Sequence, residues 1–341
     1  MLFFVNDYGE GAHPKILENL NKYNFYQQIG YGNDDFSSLA KERIAKKCKV
    51  NKDDVYLLIG GTSTNSIVID SLIKSYEGVV SVSSGHINVH EAGIIEAFGH
   101  KVISLNGKEG KLQANVLDKY LKSTFTNPSL EHMVIPGMVY ISFPTEYGTL
   151  YSKKELEELS TVCHNYNIPL FIDGARLGYA LASTKNDVTL DDLKEFADVY
   201  YIGGTKIGAL CGEAVVFTKN NMPSHFTTWV KRHGGLLAKG RLLGIQFETL
   251  FENDLYFNIS KNAIKCAEKL NNAMREKGYR FLIDSPTNQL FPIVSKAKIK
   301  ELSKNVLFEF WEEYDDEHDV IRFVTSWATK EEDVEKLISL L

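Results

Sequence analysis

Short apolar runs rich in β-branched residues alternate with helical patterns between about residues 50 and 220. The predicted strands are VYLLIG (55–60), VVSVS (79–83), KVISL (101–105), MVYISF (138–143), LFID (170–173), DVYYIG (198–203) and AVVF (214–217). Helices are predicted between most of them, including one that starts at a capping box of Ser152 and Glu155. This alternation predicts an α/β fold with a mostly parallel, doubly wound sheet that binds ligands at the carboxyl ends of its strands.

The pattern changes after about residue 245. Long amphipathic helices are predicted near 247–277, and strand-like runs then follow one another with little helix between them. A terminal helix is predicted to begin at a cap formed by Thr329, with Glu332 three residues later. We therefore expect two domains: an N-terminal segment with a large α/β domain (1–245), and a smaller α+β domain (246–341).

Composition and charge exclude several classes of protein. The 341 residues carry a net charge of −6 and contain no basic run, so no nucleic-acid partner is expected. The four cysteines are far apart and form no CxxC pair, so neither a metal site nor a disulfide framework is expected. No signal peptide and no run of membrane-spanning length is found. We expect a cytoplasmic protein without a membrane partner.

Two Ile-Gly-Gly-Thr stretches follow predicted strands. In the first, Gly61, Thr62 and Ser63 lie between a strand and a helical pattern, an arrangement in which backbone N–H groups and hydroxyls bind phosphate. It matches neither the P-loop nor the dinucleotide fingerprint, and a plain turn is the alternative. In the second, Lys206 follows Thr205 among glycines and small apolar residues, which lower the pKa of an amine and suit a Schiff-base lysine.

Asp173 ends an almost wholly apolar strand, where a carboxylate needs a favourable partner. Arg176 follows within reach, and a purely structural Asp–Arg pair is the alternative interpretation. Asp173, Lys206 and the upstream glycine turn each follow a strand of the predicted parallel sheet. They are therefore expected to meet at one edge of that sheet.

These segments together resemble the fold-type I enzymes that use pyridoxal 5′-phosphate (PLP), and among them the threonine aldolase and β-eliminating lyase group. The resemblance covers nearly the whole chain. It is carried by GYGND (30–34), GGTSTN (60–65), GHINVHEAG (85–93), PLFIDGARLGYAL (169–181), YYIGGTKIGALCG (200–212) and VIRFVTSW (320–327). It implies an aspartate aminotransferase-like fold and an enzyme that forms a homodimer or homotetramer.

The resemblance also implies a role for each matching residue. Lys206, His86 and Asp173 are the expected catalytic residues, with Lys206 binding the PLP aldehyde, Asp173 facing the ring nitrogen and His86 stacking on the ring. The expected cofactor contacts are Gly61, Thr62, Ser63, His86, Asp173, Ala175, Arg176, Thr205 and Lys206. The expected substrate contacts are Asn6, Tyr31, Arg176 and Arg322, the arginines binding the carboxylate. Taken alone, Arg322 would be interpreted as a surface residue of an edge strand.

The chain departs from the family where SFPTEYGTLYS (142–152) replaces a stretch containing the histidine linked to the substrate β-hydroxyl. Asn6-Asp7 stands in place of a Ser-Asp pair. The expected reaction is retro-aldol cleavage of a β-hydroxy-α-amino acid such as threonine or allo-threonine. The base stays open among His86, a water molecule and another group. β-Elimination, racemisation or transamination with PLP is the alternative, and a non-catalytic binder of a phosphorylated ligand is the alternative from another class.

Overall fold

The computed structural model describes all 341 residues. Its helices are α1 (Pro14–Lys22), α2 (Asp35–Cys48), α3 (Gly61–Leu72), α4 (His86–Val89), α5 (Ile94–Ala97), α6 (Ala114–Phe125), α7 (Lys153–Asn165), α8 (Leu177–Ala182), α9 (Leu190–Phe196), α10 (Phe226–Arg232), α11 (Arg241–Phe251), α12 (Leu255–Glu276), α13 (Lys296–Leu302) and α14 (Glu331–Leu340). Its strands are β1 (Leu2–Phe3), β2 (Val55–Leu58), β3 (Glu77–Val82), β4 (Val102–Leu105), β5 (Ile135–Ser142), β6 (Leu170–Asp173), β7 (Val199–Gly203), β8 (Glu213–Phe217), β9 (Arg280–Phe281), β10 (Gln289–Leu290), β11 (Pro292–Ser295), β12 (Val306–Leu307), β13 (Glu309–Glu313) and β14 (His318–Val324).

Seven strands form the large sheet in the order β2-β8-β7-β6-β5-β3-β4. Every neighbouring pair is parallel except the two pairs made by β8, which is antiparallel to both β2 and β7. All seven predicted strands are present, and the predicted mostly parallel sheet is confirmed. Because only β8 is reversed, the carboxyl ends of β2, β5, β6 and β7 lie at one edge, next to the start of β8.

Alternate residues of the central strands pack on opposite faces of the large sheet, as strand geometry requires. In β7, for example, Tyr200 belongs to the larger apolar cluster, whereas Tyr201 belongs to the cluster on the other face. Both faces are covered by helices. The strands are therefore buried, which is why they appear in the sequence as continuous apolar runs. The predicted capping box of Ser152 and Glu155 is also confirmed, with both reciprocal hydrogen bonds present.

A second sheet, in the order β10-β14-β11-β9 with β13 also on β14, is antiparallel and follows the α12 helix. The N-terminal β1 strand pairs with β12, and Phe4 packs in the apolar cluster of this C-terminal part. The N-terminus is thereby tied to the C-terminal part of the chain. The boundary between 245 and 246 itself stays a prediction.

One local prediction is wrong. The last helix begins at Glu331 after Lys330, and Thr329 does not cap it, because its hydroxyl accepts the backbone N–H of Ser326 in the preceding turn. The helices predicted near 247–277 are α11 and α12, which are separated by Asn253 and Asp254 with positive φ angles. Of the strand-like runs predicted after them, RFLIDS (280–285) forms the two-residue strand β9. None of the helices combines the length and apolarity needed to cross a membrane.

Candidate active site

The carboxyl ends of β2, β5, β6 and β7 surround a cleft of about 270 Å³. Most of its lining comes from the turns that follow these strands. The lining residues are Tyr8, Ile59, Gly60, Gly61, Thr62, His86, Glu91, Ser142, Pro144, Glu146, Asp173, Ala175, Arg176, Tyr201, Thr205, Lys206, Cys211 and Glu213. The structure therefore brings together Gly61, Thr62, His86, Asp173, Ala175, Arg176, Thr205 and Lys206 of the predicted site.

Asp173 is buried at the end of β6, and both of its carboxylate oxygens accept hydrogen bonds from other residues of the chain. Tyr140 and Tyr201, on the neighbouring strands, donate their hydroxyls to its two oxygens at 2.5 Å each. Asn65 Nδ2 and the Ala175 N–H also donate, at 3.1 and 2.9 Å. Burial would raise the pKa of Asp173, but the positive charge of His86 and these donors hold it below its usual value. Asp173 is thus a buried carboxylate kept ionised.

The turn after Asp173 depends on glycine. A Cβ atom on Gly174 would lie 1.9 Å from the backbone oxygen of Tyr201, and one on Gly203 would lie 2.3 Å from that of Ala175. No side chain fits at these distances, so the ends of β6 and β7 can approach only without Cβ atoms. This close approach is what places Asp173 and Lys206 in the same cleft.

Lys206 follows β7 and is half-buried in the cleft, and its Nζ has no hydrogen-bond or ion-pair partner within the chain. Burial, and then the positive charge of Arg176, lower the pKa of its amine despite the opposing charges of Asp7, Glu146 and Asp173. An amine with a lowered pKa is nucleophilic at a lower pH than an ordinary lysine. The side chain is therefore suited to react with an aldehyde.

The first Gly-Gly-Thr turn leads directly into the helix α3. Gly60 is the N-cap residue and supplies no side-chain cap, and the Thr64 N–H bonds to the Gly60 carbonyl. The N–H groups of Gly61, Thr62 and Ser63 therefore have no intrahelical acceptor. With the positive end of the helix dipole they form a site for an anion such as phosphate. The Ser63 hydroxyl lies outside this cleft, near the backbone of Gly235.

His86 begins the short helix α4 and is oriented by a buried carboxylate. Its Nδ1 lies 2.8 Å from Oε1 of Glu91, which also accepts Nδ2 of Asn65 at 2.7 Å. Burial would lower the pKa of His86, but Glu91, Glu146 and Asp173 together raise it. The ring is held in place at the cleft, as a stacking residue requires.

Arg176 does not pair with Asp173, so the alternative of a structural pair between those two is wrong. Its Nε and Nη2 atoms donate to the buried Asp7 at 2.7 and 3.1 Å, and Nη1 has no partner within the chain. Asn288 also donates to Asp7, at 2.8 Å. The guanidinium is thus fixed on one edge and open on the other.

The two Gly-Gly-Thr turns meet at Glu213, the first residue of β8. Its backbone pairs with Leu58 of β2 and Gly203 of β7, and its side chain accepts the Gly204 N–H at 3.0 Å and the Thr205 hydroxyl at 2.7 Å. Burial raises the pKa of Glu213 to about 8, against the opposing effects of Thr205 and Lys206. The Thr205 hydroxyl is therefore already used within the protein.

The other predicted substrate residues lie outside this cleft. Asn6 accepts the Tyr8 N–H at 3.1 Å, and Tyr31 is half-exposed on a loop beside Ala238. Arg322 is 8% exposed on β14, between two neighbouring strands, so its interpretation as a surface residue of an edge strand is wrong. It donates to Gln289 and Glu309, and its buried Nε has no partner. The substrate roles of these residues stay predictions.

Sequence reasoning missed several residues that hold the site together: Asp7, Asn65, Glu91, Tyr140, Glu146, Tyr201 and Glu213. Tyr140 and Tyr201 could not be recognised as site residues from the sequence, because they continue the apolar pattern of their strands. Glu213 had a visible signal, since it is a lone carboxylate at the head of an apolar strand, where an unpaired charge is costly.

A family model described as β-eliminating lyase matches residues 27–297. The chain belongs to the β-eliminating lyase family. It is 39% identical to the Leishmania major threonine aldolase over 100% of this chain and 98% of that one, with a TM-score of 0.96. It is 28% identical to a low-specificity L-threonine aldolase of a Pseudomonas species, over 98% of this chain and 95% of that protein. Likeness to a Thermus thermophilus aspartate aminotransferase, at 12% identity and a TM-score of 0.72, shows the shared fold.

These similarities confirm the expected family, the fold-type I architecture and the dependence on PLP. The residues present fit the cofactor. Lys206 offers an amine without a partner, the start of α3 offers uncapped N–H groups, and Asp173 offers a carboxylate kept ionised. Each of these suits one part of PLP: the aldehyde, the phosphate and the ring nitrogen.

Proposed function

We propose that this protein is a PLP-dependent carbon–carbon lyase that cleaves threonine or allo-threonine to glycine and acetaldehyde. The observation that carries the proposal is the cleft that holds Lys206 and Asp173 together, in a chain 39% identical to a threonine aldolase over its whole length. An inert binder of phosphorylated ligands has no need of a half-buried amine with a lowered pKa in the same cleft as an ionised carboxylate.

The residues of the cleft would hold the cofactor at three points. Lys206 would bind its aldehyde, the N–H groups of Gly61 and Thr62 its phosphate, and Asp173 its ring nitrogen, while His86 would lie against the ring. Bound PLP supplies an electron sink for the pair that is released when a bond at Cα breaks. Because the pKa of Asp173 is held low, its carboxylate would be ionised and would favour a protonated ring nitrogen.

Arg176 would bind the substrate. The open Nη1 of Arg176 lies in the cleft, and Asp7 fixes the plane of its guanidinium. A positioned guanidinium binds the amino-acid carboxylate and orients the bonds at Cα. The predicted second contact, Arg322, lies outside the cleft with its Nε enclosed, so Arg176 is the carboxylate contact that the cleft supports. This orientation decides which bond at Cα breaks, and hence separates aldol cleavage from racemisation or transamination.

Product analysis tests the proposal. The purified protein with PLP should release glycine and acetaldehyde from threonine or allo-threonine, and borohydride followed by peptide mapping should place the cofactor on Lys206. The Lys206→Ala variant should lose both the label and the cleavage. Absence of glycine and acetaldehyde with both isomers, in a protein that carries PLP, would exclude a threonine aldolase and favour elimination, racemisation or transamination.

We further propose that the protein is a cytoplasmic homodimer or homotetramer. All four cysteines are free, which fits a reducing compartment. Large apolar side chains are exposed near the N-terminus, with Phe25 92% and Ile29 71% exposed, next to the loop of Tyr31. A second copy covering this loop would bury them. Light scattering after size-exclusion chromatography should give at least twice the chain mass of 38.5 kDa.

A further inference from the structure

The retro-aldol reaction needs a base at the substrate β-hydroxyl, and four carboxylates line the cleft: Glu91, Glu146, Asp173 and Glu213. Asp173 and Glu213 accept hydrogen bonds on both of their oxygens. Glu91 is 4% exposed, with Oε1 bonded to two donors and Oε2 enclosed. Only Glu146 has an oxygen that is neither bonded within the chain nor buried.

Glu146 is held at the cleft by a fixed turn. It follows the carboxyl end of β5, and its Oε1 accepts the Ser142 hydroxyl at 3.2 Å. The turn is closed by the Thr145 N–H on the Thr149 carbonyl at 3.0 Å and the Gly148 N–H on the Thr145 carbonyl at 2.8 Å. A base on a rigid turn keeps its geometry between substrates.

The turn is also tied to the rest of the protein. The Thr149 hydroxyl donates to the Glu109 carbonyl at 2.7 Å, and the Thr287 hydroxyl of the C-terminal part donates to the Gly148 carbonyl at 2.9 Å. The carboxylate is close enough to act electrostatically on both Lys206 and Arg176. It lines the same cleft as these two residues, the cleft in which a substrate would bind.

On the basis of the proposed function, we infer that Glu146 is the base that removes the proton of the substrate β-hydroxyl. The free oxygen takes the hydroxyl proton, the O–H electron pair forms the aldehyde C=O bond, and the Cα–Cβ bond breaks. The pair of that bond stays with Cα, which then takes a proton from solvent to give glycine. Glu146 releases its proton to solvent, so no further reactant is needed.

His86 is the competing candidate, and its contacts give it a different role. Its Nδ1 is bonded to Glu91, and the surrounding carboxylates raise the pKa of the ring, so it keeps its proton to a higher pH than an ordinary histidine. If His86 stacks on the cofactor, its replacement affects every reaction at Cα equally. If Glu146 is the base, its replacement affects only the reaction that starts at the β-hydroxyl.

Two activities of the same enzyme separate these roles. Threonine cleavage requires proton removal from the β-hydroxyl, whereas exchange of the glycine α-proton with D₂O, followed by NMR, does not. We expect Glu146→Gln to lower kcat for cleavage by about 10²-fold or more while exchange stays within about threefold of the wild type. His86→Phe should lower both activities by a similar factor. Exposed Glu158→Gln is the matched control for a lost carboxylate.

Chemical rescue keeps the test valid if the glutamine variant folds poorly. In Glu146→Ala, formate should restore part of the cleavage rate and leave glycine exchange unchanged, because a free carboxylate replaces the missing base. The inference is overturned if Glu146→Gln cleaves normally, if both of its activities fall together, or if His86→Phe alone loses cleavage and keeps exchange. A wild-type enzyme that exchanges glycine but cleaves neither threonine isomer refutes the proposed function instead.

Discussion

Glu213→Gln should flatten the pH dependence of the stability of the apoprotein. The carboxyl is 3% exposed, and its pKa is raised by burial from 4.5 to about 8. Between these two values the unfolded chain has released the proton and the folded chain keeps it. The wild type therefore loses stability as the pH rises through this window and gains it as the pH falls.

Each unit of difference between the two pKa values changes the free energy of unfolding by about 1.4 kcal/mol. The change across the whole window is therefore about 5 kcal/mol. Between pH 6 and pH 8, linkage gives a loss of roughly 2 kcal/mol in the free energy of unfolding. Glutamine keeps the shape of a protonated carboxyl: its oxygen accepts the Gly204 N–H and its NH₂ donates to Thr205. The free energy of unfolding of the variant should therefore not show this decrease between pH 6 and pH 8.

Urea unfolding of the apoprotein at pH 6, 7 and 8 measures the effect as the difference between wild type and variant. Titrating groups remote from Glu213 are common to both proteins and cancel in that difference, whereas Lys206, whose charge acts on Glu213, contributes to it. Exposed Glu158→Gln is the control and should follow the wild type at every pH. The reasoning is refuted if the free energies of unfolding of wild type and Glu213→Gln differ by the same amount at all three pH values, within about 0.5 kcal/mol. Glu213 would then not retain a proton at neutral pH.

Three further changes have defined outcomes. Asp7→Ala leaves Arg176 buried without its partner and should lower the free energy of unfolding by about 3 kcal/mol or more in urea titrations. Asp173→Asn keeps the shape of the side chain but removes the charge that would face the ring nitrogen. PLP should therefore still bind, as its visible absorbance would show, while kcat should fall on the order of 10²-fold. Ser152→Ala removes the cap that Glu155 completes and should cost about 1 kcal/mol of stability without changing kcat.

The strands of the large sheet and their order along the chain were predictable because buried parallel strands are continuous apolar runs. Asp173 and Lys206 were predictable for the opposite reason, since each interrupts an apolar or glycine-rich stretch at a strand end. Contacts between distant segments were not predictable. Asp7 and Arg176 are 169 positions apart, and nothing local in either segment indicates the other. The false cap at Thr329 has a local cause, because its hydroxyl accepts the N–H of Ser326, three residues earlier.

The reversed strand β8 explains why the chain makes the same Gly-Gly-Thr turn twice. A parallel strand between β2 and β7 would place its own carboxyl end, and a third loop, at the cleft. An antiparallel one places its first residue there instead, and Glu213 can then bond to the N–H and hydroxyl groups of the second turn. The first turn stays free of side-chain caps and keeps its N–H groups for an anion. The same short sequence thus serves two purposes, because only the second copy has an internal acceptor for its donors.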